Sequence, residues 1–134
     1  MTPFPWAVQL DDSVRLAREV MVQREVRHLP VLSGHELVGI LTDRDLKRAL
    51  DPDLGLPPKN ELFVRDVYVP EPYVVDSGVP LDIVLEEMAT RHLGSVLVTK
   101  HARLVGIFTA TDACRVYCGH LRKLFPSRSS AGVA

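Results

Sequence analysis

Cysteine is scarce: the chain has two, Cys114 and Cys118, four positions apart. That spacing forms neither a disulfide framework nor a Cys-x-x-Cys site, so reduced thiols in an intracellular protein are expected. A surplus of either charge is missing as well, with 16 Lys and Arg against 17 Asp and Glu and a net charge of −1. Without a basic field nothing holds a nucleic-acid backbone, and no nucleic-acid partner is expected. No apolar run approaches the ~18 residues that cross a bilayer. Met1–Trp6 has neither the positive region nor the apolar stretch of a secretory leader. No membrane partner and a cytoplasmic location are therefore expected.

The signatures of catalysis are missing too. There is no Gly-rich phosphate loop and no Gly-x-Ser-x-Gly. His28, His35, His92, His101 and His120 show no ligand spacing, whereas zinc needs three or four clustered ligands. The expectation is a protein that is not an enzyme, has no metal site and requires no cofactor.

What is there is a single unit written twice. The 134 residues, 46% of them hydrophobic, suffice for one compact domain with its own core. Displaced by 67 positions, the chain matches itself without a gap. Pro3, Val8, Glu19, Met21 and Arg24 fall on Pro70, Val75, Glu86, Met88 and Arg91. The densest match sets Leu37-Val38-Gly39-Ile40 on Leu104-Val105-Gly106-Ile107, followed by Thr42, Asp45 and Arg48 on Thr109, Asp112 and Arg115. An ungapped internal period points to duplication. The organisation read from this is repeat 1 over 1–50, a Pro-rich linker over 51–63, repeat 2 over 64–125 and a small, polar tail over 126–134.

Each unit reads β-α-β-β-α. Trp6-Ala7-Val8 and Tyr73-Val74-Val75 are short apolar strand candidates. The helix after the first has Asp12 or Ser13 as its cap; the helix after the second has Pro80 in its first turn and Leu81, Val84, Leu85 and Met88 at helical spacing. Leu29–Leu32 with Leu37–Leu41, and Val96–Val98 with Leu104–Phe108, read as hairpin strands covered on both faces. A closing helix starts near Thr42 and near Thr109. This is a mixed α/β (α+β) fold whose two repeats pack about a pseudo-two-fold axis, because neither could bury its helices alone.

Arg27-His28-Leu29-Pro30-Val31 and Leu37-Val38-Gly39-Ile40-Leu41-Thr42-Asp43-Arg44-Asp45-Leu46 closely resemble a CBS domain, as does Leu104-Val105-Gly106-Ile107-Phe108-Thr109-Ala110-Thr111-Asp112. Val64-Arg65-Asp66-Val67 resembles the lead-in to a CBS repeat, and the first unit begins at Met1 without one. Such tandem pairs are called Bateman modules. The resemblance implies a regulatory module that binds AMP, ADP, ATP or S-adenosylmethionine between the repeats. It also implies a homodimer that signals by conformational change to a regulated protein. In the family pattern the Asp of Thr-x-x-Asp holds the ribose hydroxyls and the Thr reaches phosphate, which nominates Thr42 and Asp45 for one cleft and Thr109 and Asp112 for the other. Arg27, His28, Arg44 and Thr111 complete the nucleotide-binding candidates.

Physical chemistry fits those roles. A carboxylate can grip a cis-diol with both oxygens, and free N–H groups at a helix start favour phosphate. Thr-x-x-Asp is equally a capping box, and for Thr the two roles are compatible. Basic residues crowd the first unit (Arg27, His28, Arg44, Lys47, Arg48), while Gly94-Ser95 and Thr111 stand at the matching places in the second, so unequal clefts are expected. Trp6 and Tyr73 occupy matching positions and read as core more readily than as base-stacking groups. Cys114, Tyr117, Cys118 and Leu121 share one helix face, read as core or dimer interface. A dimerisation scaffold without a ligand is the alternative function.

Overall fold

The computed structural model describes residues 2–3, 6–51 and 62–126. Most of the expected linker and nearly all of the expected tail lie outside them.

Repeat 1 runs through β2 (Val8–Gln9), α1 (Val14–Arg24), β3 (His28–Ser33), β4 (Glu36–Thr42) and α2 (Asp43–Ala49). Repeat 2 follows with β6 (Val74–Asp76), α4 (Leu81–Arg91), β7 (Ser95–Lys100), β8 (Arg103–Thr109) and α5 (Ala110–Leu124). Three elements lie outside these units: β1 (Thr2–Pro3), α3 (Val64–Val67) and β5 (Val69–Pro70). The expected first strands at Trp6 and Tyr73 begin later, at Val8 and Val74.

The 67-residue period survives in three dimensions. α1, β3 and β4 have the bounds of α4, β7 and β8 shifted by that period. Both α1 and α4 end on a left-handed residue, Glu25 at φ 54 and His92 at φ 55. Both hairpins shift register at matching places, after Val31 and after Val98.

The sheets exchange edge strands. One has the order β2-β3-β4-β5 and the other β1-β8-β7-β6, so each repeat's sheet is completed by the strand that leads into the other repeat. Val69 pairs with Ile40 and Pro70 with Gly39, while Thr2 pairs with Ile107 and Pro3 with Gly106. These pairings are images of each other under the 67-residue shift, which is the expected pseudo-two-fold axis in concrete form. Proline suits such strands because an edge needs no N–H toward solvent. Gly39 is required where β5 crosses, since a Cβ there would run into the Tyr68 ring and the Val69 carbonyl.

Three apolar clusters stand among the described residues. The first joins Val14, Ala17, Met21, Leu29, Val31, Leu41 and Leu46 to Leu62 and Val64. The second is smaller, with Val84, Met88, Val96 and Phe108 buried. The third, Ile40, Leu97 and Ile107, with Leu37 and Leu104 packed on it, lies at the seam between the repeats. The continuous apolar strands expected to be covered on both faces show three successive buried residues in β3 and in β7.

Candidate functional site

The Thr-x-x-Asp motifs are capping boxes in both repeats. The Thr42 N–H donates to Asp45 Oδ2 at 2.9 Å, and the Asp45 N–H donates back to Thr42 Oγ1 at 3.2 Å. The Thr42 hydroxyl also donates to Asp45 Oδ2 at 2.8 Å. At the second site the Thr109 N–H donates to Asp112 Oδ2 at 2.9 Å, and the Asp112 N–H to Thr109 Oγ1 at 3.1 Å. One oxygen of each carboxylate therefore serves the cap, and Oδ1 is the oxygen left for a diol. The picture of both oxygens gripping a ligand gives way to one, because a helix start must satisfy its own amides first.

The same economy trims the expected phosphate seat. The first helical amides are occupied: Asp43 N–H donates to the Arg27 carbonyl at 2.9 Å, and Ala110 N–H to the Gly94 carbonyl at 3.0 Å. With Asp45 and Asp112 N–H on the threonines, the amides of Arg44 and Thr111 are the ones left without an acceptor among the described residues.

His28 opens β3 opposite Thr42 of β4 and lies partly buried at the boundary between the repeats. Its Nε2 would be 3.1 Å from a Cβ built on Gly94, so the glycine makes room for the ring. Burial pushes the His28 pKa below the usual histidine range, because the charged form loses water. Asp45 opposes this shift, Arg27 adds to it, and Asp43 opposes it more weakly.

The structure thus brings His28, Thr42 and Asp45 together and places Gly94 of the other repeat against them. Arg27, though adjacent in sequence, is exposed and lines a groove of about 590 Å³ on the helical side with Met21, Val22, Leu46 and Lys47. Arg44 and Thr111 are exposed at the helix starts. The carboxylates differ in company: Asp112 Oδ1 has Arg115 Nη1 at 3.9 Å, whereas Lys47 pairs with Asp43 at 3.0 Å and Asp45 has no Lys or Arg ion pair among the described residues. Gly94 and Asp43 were missed by sequence reasoning. The available signal was a glycine standing where the first repeat has Arg27.

One further expectation is corrected, and the reading of α5 as core or dimer interface loses its core alternative. Trp6 is exposed rather than core and carries the Arg24 guanidinium 3.8 Å from its ring centroid. The matching pair Tyr73 and Arg91 repeats the contact at 5.3 Å, and Tyr73 packs against the second cluster. A flat guanidinium covers an aromatic face well, which lets the ring stay outside. On α5, Cys114, Tyr117 and Cys118 are exposed and not core; Leu121 is partly buried. Among the described residues no three His, Cys, Asp or Glu cluster as a metal site, and no helix is long and apolar enough to cross a membrane.

A duplicated β-α-β-β-α unit with exchanged edge strands and a Thr-Asp cap on each closing helix defines an arrangement that can be compared with known proteins. The CBS domain model matches residues 1–52 and again 64–119. The chain belongs to the CBS domain family. YlbB of Bacillus subtilis, uncharacterized, is 34% identical over 75% of this chain and 68% of its own length. The A-adding tRNA nucleotidyltransferase of Geobacter sulfurreducens is 29% identical over 87% of this chain, which spans 13% of that enzyme. The crystal structure of CBSX2 in complex with AMP superposes with a TM-score of 0.77 at 26% identity, covering 91% of this chain and 95% of that one.

Proposed function

We propose that this CBS pair is a non-catalytic regulatory module that binds an adenosine-containing nucleotide between its repeats. AMP, ADP, ATP and S-adenosylmethionine form the candidate class, and CBSX2 with AMP supports it. The observation that carries the reading is the twice-built cap: Asp45 and Asp112 each keep Oδ1 out of the cap, that of Asp112 with Arg115 Nη1 3.9 Å away, and the amides of Arg44 and Thr111 have no acceptor among the described residues. Thr42 and Thr109 position the carboxylates. His28 is suited to a phosphate at the first cleft, with Arg44 beside it. Arg27 acts from the helical side.

Binding would favour one relative orientation of the repeats, and a regulated cytoplasmic protein would read it. A ligand shifts such an equilibrium only by its difference in affinity between the two states. The module is expected to work as a homodimer joined through the flank of α5 that bears Cys114, Cys118 and Phe125, exposed apolar surface of the kind that marks an interface.

The test is thermal unfolding against AMP, ADP, ATP, S-adenosylmethionine and a guanine-nucleotide control. A ligand at a hundred times its Kd adds about 2.7 kcal/mol of stability. A shift with an adenine ligand that is lost in Asp45→Ala or Asp112→Ala supports the reading and identifies the cleft. No shift with any of them transfers the function to a dimerisation scaffold, which the exposed α5 flank favours.

A further inference from the structure

The two repeats turn unlike helical faces outward. In repeat 1 the groove lined by Arg27 lies between α1 and α2, with the buried Met21 and Leu46 among its walls. Its rim carries Arg18, Glu25, Arg27, Asp43 and Lys47, charges of both signs. Sixty-seven residues on, the same places hold Leu85, His92, Gly94, Ala110 and Cys114, none of them a lysine, arginine or carboxylate. Val22 and Leu50 of the groove become Ala89 and Tyr117.

This uncharged face is built on both helices of repeat 2. Leu85 and Ala89 lie one turn apart on α4, and Ala110, Cys114 and Tyr117 recur at helical spacing on α5. Val84, Met88 and Ala113 fasten the two helices to the second cluster. Leu85, Ala89, Ala110 and Cys114 are exposed. Their twins show that this openness belongs to the repeat itself: Arg18, Val22 and Lys47 are exposed too, although Leu62 and Val64 close the core beneath them. The faces differ in charge, not in cover. They also adjoin, because Arg27 and Gly94 hold matching places and His28, next in sequence to Arg27, touches Gly94.

We infer that a second copy of the chain covers this surface in one sense only, repeat 2 on repeat 2 and repeat 1 on repeat 1. The inference rests on the homodimer reading above and adds its orientation. A two-fold interface sets each patch against its own image. Leu85, Ala89 and Cys114 then meet their own kind and leave water together. Along the repeat 1 faces, Arg18, Arg27 and Lys47 meet a patch that also carries the second copy's own Glu25 and Asp43, so each sign of charge finds its opposite.

The opposite sense fits worse. Repeat 1 laid on repeat 2 would press Arg18, Glu25, Arg27, Asp43 and Lys47 onto a face that offers them no opposite charge. Charges taken out of water without partners cost more than the apolar contacts around them return. Such a mismatch selects against the wrong orientation as firmly as good contacts select for the right one. A foreign apolar helix could cover the repeat 2 face, but the charged rim beside it would then stand unmatched. A second copy meets both faces at once.

The experiment is bismaleimide cross-linking of the full chain, run beside analytical sedimentation. Lys47 and Cys114 are the same place under the 67-residue shift, so the orientation decides which thiols meet. One batch keeps Cys114 and Cys118; a second, differently tagged, carries Lys47→Cys with Cys114→Ser and Cys118→Ser. The matched sense gives covalent dimers within the first batch and no product between the two batches when they are mixed. Leu85→Asp should raise the dimer Kd at least about tenfold while leaving the circular dichroism unchanged. A product joining position 47 of one batch to Cys114 or Cys118 of the other would overturn the matched sense and leave the homodimer reading standing. A chain that sediments as a monomer up to about 1 mM would overturn both. A dimer that gives no covalent product, or is indifferent to Leu85→Asp, has its interface elsewhere and overturns the proposal. Nucleotide binding at the caps is a separate readout.

Discussion

The imidazole of His28 lies against Gly94, one repeat touching the other where the second has no side chain. A Cβ at position 94 would stand 3.1 Å from Nε2, close enough that the ring must yield by a few tenths of an ångström. Gly94→Ala should therefore cost less than about 1 kcal/mol, whereas Gly94→Leu should displace the ring and cost about 1–3 kcal/mol. Displacement re-exposes the imidazole, so the His28 pKa should rise in Gly94→Leu. Titration by NMR measures it, and an unmoved His28 pKa would refute the contact.

His28 also sets a sign for pH. Its folded pKa is lowered, chiefly by burial, so below the unfolded value of about 6.5 the unfolded chain binds more protons than the folded one. The contribution is fully present above that value and is lost as pH falls through it towards the folded pKa. Melting temperature should thus decline between about pH 7 and pH 5, less steeply in His28→Gln than in the parent. Parallel slopes for the two proteins would remove His28 from the account.

The capping boxes predict two separable losses. Thr42→Ala and Thr109→Ala should each cost about 1 kcal/mol of stability, read by chemical denaturation, because the Asp45 or Asp112 amide loses its acceptor. Asp45→Asn keeps the shape of the cap and part of its hydrogen bonding but removes the charge. It should therefore lower nucleotide affinity by more than it lowers stability. Equal losses in both would make the acid a cap and nothing else.

Gly39→Ala should be among the most damaging small substitutions, at about 2–3 kcal/mol. Its Cβ meets the Tyr68 ring and the Val69 carbonyl, and the carbonyl belongs to the edge strand that completes the sheet. Equilibrium unfolding gives the value, and a cost below about 0.5 kcal/mol would show that the crossing strand is loosely held.

At the seam, Leu97 is fully buried between Ile40 and Ile107. Leu97→Ala should destabilise by about 2–5 kcal/mol through lost burial and the cavity left behind. By contrast, Val22→Ala on the exposed side of α1 should change stability by less than about 0.5 kcal/mol.

Much of this architecture was legible before any coordinates. The ungapped 67-residue period predicted matching elements, and α1, β3 and β4 recur at that shift in α4, β7 and β8. The local spelling Thr-x-x-Asp predicted both caps, because a capping box depends on residues three apart on one chain. Leu81, Val84, Leu85 and Met88 fell on a helix as their spacing required, although Leu81 and Leu85 remain exposed.

Other features depend on distant pairing. Val64-Arg65-Asp66-Val67 belongs by sequence to the second repeat, yet it closes the core of the first. β1 and β5, two residues each, are strands because the facing sheet has a free edge for them, and no local pattern announces that. Trp6 reads as core and the Cys114 face of α5 as core or dimer interface, but whether an apolar face is covered is decided by what the chain brings against it.

The duplicated unit, its helices and hairpins and the Thr-Asp caps follow from residue spacing and short-range hydrogen bonding along the chain. Only the tertiary fold produced the strand exchange and the meeting of His28 with Gly94. Each of these requires two segments far apart in the chain to compete for the same hydrogen bonds or the same space.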